Sequence, residues 1–128
     1  MEHPIVEKIL KEGHGSVNLS MLDEPTRRRI LSDAGEKLYK QSKFVEAIDV
    51  LALANDTAKL SDMGEMFLRE KKIELATLCF IPTKDKQRLN NAAVLCIQSK
   101  KYGLAAKAYE AAENKQMASF IKDNFVES

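Results

Sequence analysis

The chain has 128 residues, of which 45% are hydrophobic and 30% are charged, and its formal net charge is +1. This composition is typical of a soluble globular protein with one core. The near-zero net charge provides no overall attraction to nucleic acid or to an anionic membrane. Five glycines and three prolines leave little material for a sheet-and-turn fold.

The features that indicate a compartment all point to the cytoplasm. No apolar run approaches the roughly 20 residues that span a bilayer. The N-terminal segment MEHPIVEKIL has no basic region followed by an apolar stretch, so we expect no secretory signal. Cys79 and Cys96 lie among aliphatic residues, in TLCFI and VLCIQ, and we expect both to be buried, reduced thiols.

The first predicted helix covers residues 4–12, where PIVEKIL places Ile5, Val6, Ile9 and Leu10 on one face. The segment GHGSVNLS that follows predicts a flexible connection. We therefore divide the chain into an N-terminal helix with its linker, residues 1–20, and a second domain, residues 21–128.

Seven further helices are predicted from apolar residues spaced three and four apart. Asp23 can cap the first of them and Pro25 suits its first turn. Asp56 and Asp85 are plausible caps for two later helices, and Pro82 is expected to end the helix before it. The predicted ranges are 25–41, 44–54, 57–70, 73–81, 86–99, 102–113 and 115–125.

These helices belong to a repeat with a step of 29 residues, which we sought first because a missed repeat leads to the wrong fold. Each copy predicts two helices that approach at a buried alanine, with a large residue four positions later filling the space beside it. The units cover about 26–54, 55–83 and 84–112, and 113–126 forms a closing half unit. The matching columns are Lys43, Lys72, Lys101; Phe44, Ile73, Tyr102; Ala47, Ala76, Ala105; Leu51, Phe80, Tyr109; Leu38, Phe67, Cys96; Leu31, Leu60, Leu89; and Gly35, Gly64, Ala93.

The columns resemble the tetratricopeptide pattern, carried in the first copy by Leu31, Ala34-Gly35, Leu38, Ala47, Leu51 and Ala54. The match covers about residues 31–125. The units are about five residues shorter than a tetratricopeptide unit, and only the middle one has a proline near its end. Units of this size are similar to the α-solenoids of coatomer, clathrin heavy-chain and intraflagellar-transport proteins. The chain could be a small stand-alone relative of these proteins or a part of a larger scaffold.

The resemblance implies an all-α fold, a right-handed α-solenoid of about three antiparallel helix hairpins with N- and C-terminal capping helices. It also implies that the first helix of each hairpin lines a concave groove. The apolar anchors of the groove would be Tyr39, Leu68, Val94 and Ile97. The polar residues beside them would be Lys40, Glu65, Arg69, Asn90 and Gln98. The implied function is a non-catalytic protein-interaction or scaffold module that binds an amphipathic helix or an extended peptide there.

Two structural alternatives stay open at this point. The shorter unit could close the groove and bury the column Tyr39, Leu68 and Ile97 as ordinary core. Helix 4–12 could cap the exposed face of helix 25–41, which we favour, or fold into the groove as an intramolecular ligand. The sequence also leaves open whether the ends of the stack associate between molecules.

The sequence indicates no enzyme, because the residues that carry catalysis do not occur together. His3 and His14 match no helical metal-ligand spacing. GHGS lacks both a preceding strand and a following lysine-serine pair, so it is no phosphate loop. We therefore expect no cofactor and no metal.

The alternative function of a different class is an RNA- or nucleic-acid-binding helical repeat. It would use the basic residues around 84–101, which are Lys84, Lys86, Arg88, Lys100 and Lys101. The two functions differ in salt dependence, because phosphate binding weakens steeply with salt and apolar binding hardly changes.

Overall fold

The structure, a computed structural model, describes residues 3–126 apart from the side chain of Ser16. The predicted domain limits at residues 1 and 128 lie outside this range. Within it every regular element is helical, which confirms the all-α class. The helices are α1 (Pro4–Glu12), α2 (Glu24–Lys40), α3 (Phe44–Leu53), α4 (Thr57–Arg69), α5 (Ile73–Phe80), α6 (Lys86–Gln98), α7 (Tyr102–Ala111) and α8 (Lys115–Phe125). We call α2, α4, α6 and α8 the first helices and α3, α5 and α7 the second helices.

The helix ends agree with the sequence prediction to within two residues. Aspartate caps explain several of them: the side chain of Asp23 accepts a hydrogen bond from the backbone N–H of Thr26, and that of Asp85 accepts one from Arg88. Pro82 lies in a short 3₁₀ turn, Ile81–Thr83, directly after α5. None of the helices between residues 3 and 126 combines the length and the apolar character needed to cross a membrane.

The chain divides into two compact units, Met1–Lys59 and Leu60–Ser128, and the division falls inside α4. In the first unit, α1 packs on α2 and α2 pairs with α3. Val6 and Ile9 are fully buried on the face of α1 that carries its apolar residues. This packing favours the capping role for α1. In the second unit, α7 packs against both α6 and α8.

In two pairs of consecutive helices, α2 with α3 and α4 with α5, a glycine of the first helix lies directly against a side chain of the second. A Cβ atom on Gly35 would lie 2.6 Å from Cγ of Leu51, and one on Gly64 would overlap the ring of Phe80. Leu51 and Phe80 are the large residues that the sequence predicted to fill the space beside Ala47 and Ala76, and both alanines are fully buried. The large side chain therefore lies over the glycine of the opposite helix. The sequence prediction paired this large residue with an alanine of its own helix and did not identify the glycine as its contact.

The turns between helices repeat at the same 29-residue step as the sequence columns. One residue at each turn has a φ angle near +60°: Ser42, Lys71 and Lys100 end first helices, and Asn55, Lys84 and Glu113 precede the next ones. After α2, the N–H of Lys43 donates to the carbonyl of Leu38, and the N–H of Ser42 donates to that of Tyr39. This pair of bonds is the Schellman motif, which satisfies the last carbonyls of a helix. The equivalent pair recurs after α3, α4, α6 and α7.

Both cysteines are buried free thiols, as the sequence predicted. Burial raises the pKa of Cys79 to about 12, because a thiolate is poorly solvated in an apolar environment. The buried hydroxyl of Thr77 donates to the carbonyl of Ile73 at 2.8 Å, and its oxygen lies 3.3 Å from Sγ of Cys96. The Cys96 thiol can therefore donate to this hydroxyl, which gives both polar groups a partner inside the core.

Candidate protein-interaction site

The predicted groove residues lie on three first helices. Tyr39 and Lys40 are on α2, in the first unit. The second unit brings the others together on α4 and α6, and these are Glu65, Leu68, Arg69, Asn90, Val94, Ile97 and Gln98. Asn90, Val94 and Ile97 are spaced four and three apart and therefore share one side of α6.

The apolar column is neither fully buried nor fully exposed. Leu68 and Ile97 are half-buried, although each directly follows a core residue, Phe67 or Cys96, that is almost completely buried. Val94 is 45% exposed, one turn before Gln98 on α6. Tyr39 is half-buried, and its ring centroid is 5.5 Å from that of Phe44. Apolar surface thus stays accessible on the first helices of the second unit.

Polar side chains beside this column are partly held in place by partners on the next first helix. Nε of Arg88 on α6 lies 2.8 Å from Oε1 of Glu65 on α4, and one of its terminal nitrogens lies 2.7 Å from Oδ2 of Asp85. The hydrogen bonds to Glu65 and Asp85 raise the pKa of Arg88. The pKa of Asp85 is lowered, first because it accepts the backbone N–H of Arg88 and then because it accepts the guanidinium.

The same ion pair occurs one repeat earlier in the first unit. Nζ of Lys59 lies 3.2 Å from Oε2 of Glu36, and Glu36 and Glu65 are 29 residues apart, as are Lys59 and Arg88. We call the Glu36–Lys59 pair the first step and the Glu65–Arg88 pair the second step. Lys40 lies on the same side of α2, with its Nζ 4.0 Å from Glu36. Lys59 and Arg88 were not predicted as partners of these glutamates, although the two are 29 residues apart.

A third step follows in register, but its residues are apolar. Adding 29 to Glu65 gives Val94, and adding 29 to Arg88 gives Met117, which is half-buried on α8. The N-cap of α8 repeats the geometry of Asp85, since Oδ1 of Asn114 accepts the backbone N–H of Met117. Nδ2 of Asn114 also donates to Oδ1 of Asn90 at 3.2 Å, which joins the start of α8 to α6.

The basic residues proposed for nucleic-acid binding are mostly paired with carboxylates. Lys86 lies 3.0 Å from Glu113, Lys101 lies 3.5 Å from Glu74, and Arg88 makes the second-step pair. Lys84 and Lys100 are exposed and have no ion-pair partner in the described part of the chain. The pairing reduces the positive charge that this surface offers to phosphate groups.

The two histidines have ordinary local positions. Nδ1 of His3 accepts the backbone N–H of Ile5 at 3.2 Å and so caps α1, and His14 begins a 3₁₀ turn after that helix. Between residues 3 and 126, no three His, Cys, Asp or Glu side chains are grouped so that they could hold a metal ion.

Comparison with known proteins gives no relative from which a function could be transferred. No protein-family model, curated protein or solved structure matches the chain. The functional interpretation therefore depends on the chain's own residues, and above all on the partly exposed apolar column of α4 and α6.

Proposed function

We propose that the chain is a non-catalytic protein-interaction module, built as a tetratricopeptide-like, right-handed α-solenoid and acting in the cytoplasm. It binds an amphipathic helix or an extended peptide on the face that α4 and α6 present in the second unit. The observation that carries this function is the accessible apolar column, in which Leu68 and Ile97 are half-buried and Val94 is exposed. An apolar strip of this kind, bordered by polar side chains, is typical of helix-in-groove recognition.

The solenoid part of the proposal is supported by local geometry that recurs every 29 residues. The turn residues with positive φ, the N-caps at Asp56, Asp85 and Asn114, and the first and second ion-pair steps all follow this period. Helical-repeat proteins place equivalent positions side by side and so build extended binding surfaces.

Nucleic-acid binding is the alternative, and the ion pairs on Lys86, Arg88 and Lys101 make it the weaker one. A protein that binds the phosphate backbone uses cations free to displace counterions. In this chain three of the five proposed cations already have carboxylate partners.

Selection from a displayed library of random helical peptides tests the proposed function. Wild-type protein should enrich amphipathic sequences, and the double substitution Leu68→Glu with Ile97→Glu should abolish their binding, because it places charge in the apolar column. Val45→Glu is the matched control, since Val45 is 55% exposed on the second helix α3 and should not matter. Enriched peptides that bind the Leu68→Glu, Ile97→Glu variant as well as wild type would overturn the proposal.

A further inference from the structure

A cleft in the second unit lies where two inter-helix turns meet. Its volume is about 320 Å³, and it is lined by residues 71–75, from the α4–α5 turn and the start of α5, and by Ser99 and Lys101 of the α6–α7 turn. Nζ of Lys101 lies 3.5 Å from Oε2 of Glu74, so an ion pair joins the two sides of the cleft. None of the lining residues belongs to the apolar column of α4 and α6, and the cleft is therefore a separate surface.

The two turns carry a local excess of positive charge. Segments 70–74 and 99–101 together contain four lysines and two glutamates, whereas the net charge of the whole chain is only +1. Lys72 pairs with Glu70, its Nζ 3.3 Å from Oε2, and the other glutamate is the one paired with Lys101. Since each glutamate neutralises one lysine, two positive charges remain at these turns, and the rest of the chain is slightly negative.

Lys71 lines the cleft, is exposed, and has no ion-pair partner in the described part of the chain. Its charge is not needed to form the turn. Ser42 occupies the equivalent position after α2, with the same φ angle of 62° and the same pair of backbone hydrogen bonds. The ammonium group of Lys71 is therefore available to a carboxylate of a partner, because no group of this chain uses it.

Part of the cleft wall is apolar, and this favours a peptide over a phosphate ligand. Ile73 and Leu75 line the cleft and are half-buried, so both keep apolar surface that a ligand side chain can cover. The sugar–phosphate backbone of a nucleic acid has no apolar side chain to place there. Glu74 also lines the cleft, and it repels a phosphate group with nearly two negative charges more strongly than a singly charged carboxylate.

We propose that this cleft binds an acidic peptide segment that carries an apolar side chain. The apolar side chain contacts Ile73 and Leu75, and a neighbouring carboxylate pairs with Lys71. Lys72 and Lys101 bind further carboxylates, because their own ion pairs are exposed and therefore weak. Opposite charge at the rim selects the acidic partner. The inference goes beyond the proposed function, since no residue of the α4–α6 face takes part.

The test measures fluorescence anisotropy of labelled probes with the full chain at low salt. The main probe is a synthetic peptide with one leucine between two pairs of glutamates. A peptide with glutamine in place of glutamate should bind about tenfold or more weakly, and one with serine in place of leucine about threefold or more weakly. Added salt should weaken binding of the glutamate peptide, because it screens exposed charges. A single-stranded oligonucleotide should bind more weakly than the glutamate peptide.

Two matched variants separate binding from folding. Lys71→Gly removes the unpaired cation and places glycine at a positive φ angle, so the variant should be more stable than wild type and should bind the glutamate peptide about fivefold or more weakly. Lys84→Gly is the control, because Lys84 is also exposed, has a φ angle of 60° and lies outside the cleft. It should gain similar stability and keep the affinity of wild type.

Three results would overturn the inference. Equal affinity for the glutamate and glutamine peptides would exclude an acidic partner. Unchanged affinity in Lys71→Gly, or an equal loss in Lys84→Gly, would place any binding outside this cleft. An oligonucleotide that binds more tightly than the glutamate peptide and is weakened by Lys71→Gly would make the ligand a nucleic acid. None of these results bears on the groove, which the Leu68→Glu, Ile97→Glu variant tests by itself.

Discussion

Six residues other than glycine have a positive φ angle in the described chain, and each of them ends or precedes a helix. Left-handed backbone is unfavourable for an L-residue with a Cβ atom, and helix ends of this type usually carry glycine. Lys71 and Lys100 adopt this conformation because the Schellman hydrogen bonds fix the backbone of the turn. Both side chains are exposed, so they are not crowded by neighbouring groups there. Each of these turns therefore carries a small conformational strain and fixes the change of chain direction between two helices.

Lys100→Gly should release this strain. We expect the free energy of unfolding to rise by about 1 kcal/mol, because glycine enters the left-handed region without a steric penalty. The matched control is Lys107→Gly, which changes an exposed lysine inside α7 and should lower stability by about 1 kcal/mol. Urea denaturation measures both, and a destabilised Lys100→Gly variant would contradict the assigned turn geometry.

Cys79 should not react with a thiol reagent while the protein is folded. Its pKa is raised to about 12 by burial, so at a pH near 8 the reactive thiolate is absent, and the sulfur is also inaccessible. Reaction with a disulfide reagent should begin only in the denaturant range where circular dichroism reports unfolding. Rapid labelling of Cys79 in native buffer would show that α5 opens without global unfolding.

For individual residues, the sequence predicted the burial of both cysteines but not the backbone conformation of the turns. Cysteine between aliphatic residues is a strong burial signal. Ser42, Lys71 and Lys100 carry no intrinsic preference for positive φ, so their conformation follows from the helices on either side. Thr77 was missed for a similar reason: its buried hydroxyl is acceptable only because Ile73 and Cys96 provide partners.

Two glycines, Gly35 on α2 and Gly64 on α4, set how closely these helices pack against α3 and α5. Gly35 and Gly64 lie under Leu51 and Phe80, where there is no room for a Cβ atom. Cores are packed to the density of organic crystals, so an extra methyl group there displaces a neighbour. Gly103, at the start of α7, has open space where a Cβ atom would be.

Gly64→Ala should therefore lower the free energy of unfolding by about 1–3 kcal/mol. Gly103→Ala adds the same methyl group to a helix and should instead raise stability by about 0.5–1 kcal/mol, because alanine has the better helix propensity. Thermal and urea denaturation of the two variants give the comparison. Equal effects would mean that Phe80 does not lie over Gly64.

The helices themselves were largely predictable, because apolar spacing and capping residues are local signals. The predicted range 4–12 matches α1, and 115–125 matches α8. The ion pairs between first helices were not predicted, since each joins residues 23 apart and depends on how neighbouring helices align. The apolar third step could have been found by comparing columns, as Val94 follows Glu36 and Glu65 at the 29-residue step.

Considered as a whole, the molecule has a small net charge, and many of its exposed charges are paired locally. Surface pairs such as Lys86–Glu113 contribute little to stability, but they reduce the charge available to outside partners. Apolar side chains remain accessible on α4, α6 and α8. The proposed interaction function depends on that surface and on no catalytic or metal-binding group.

The most direct test is a nitrogen-15 NMR titration of the full chain with a peptide enriched in the library selection. We expect the largest amide shift changes on the first helices α4 and α6, around Leu68, Val94 and Ile97. Amides on the exposed side of the second helices, such as Val45 and Lys107, should change little. Shift changes concentrated on α3, α5 and α7, with none around Leu68 and Ile97, would contradict peptide binding on the first helices.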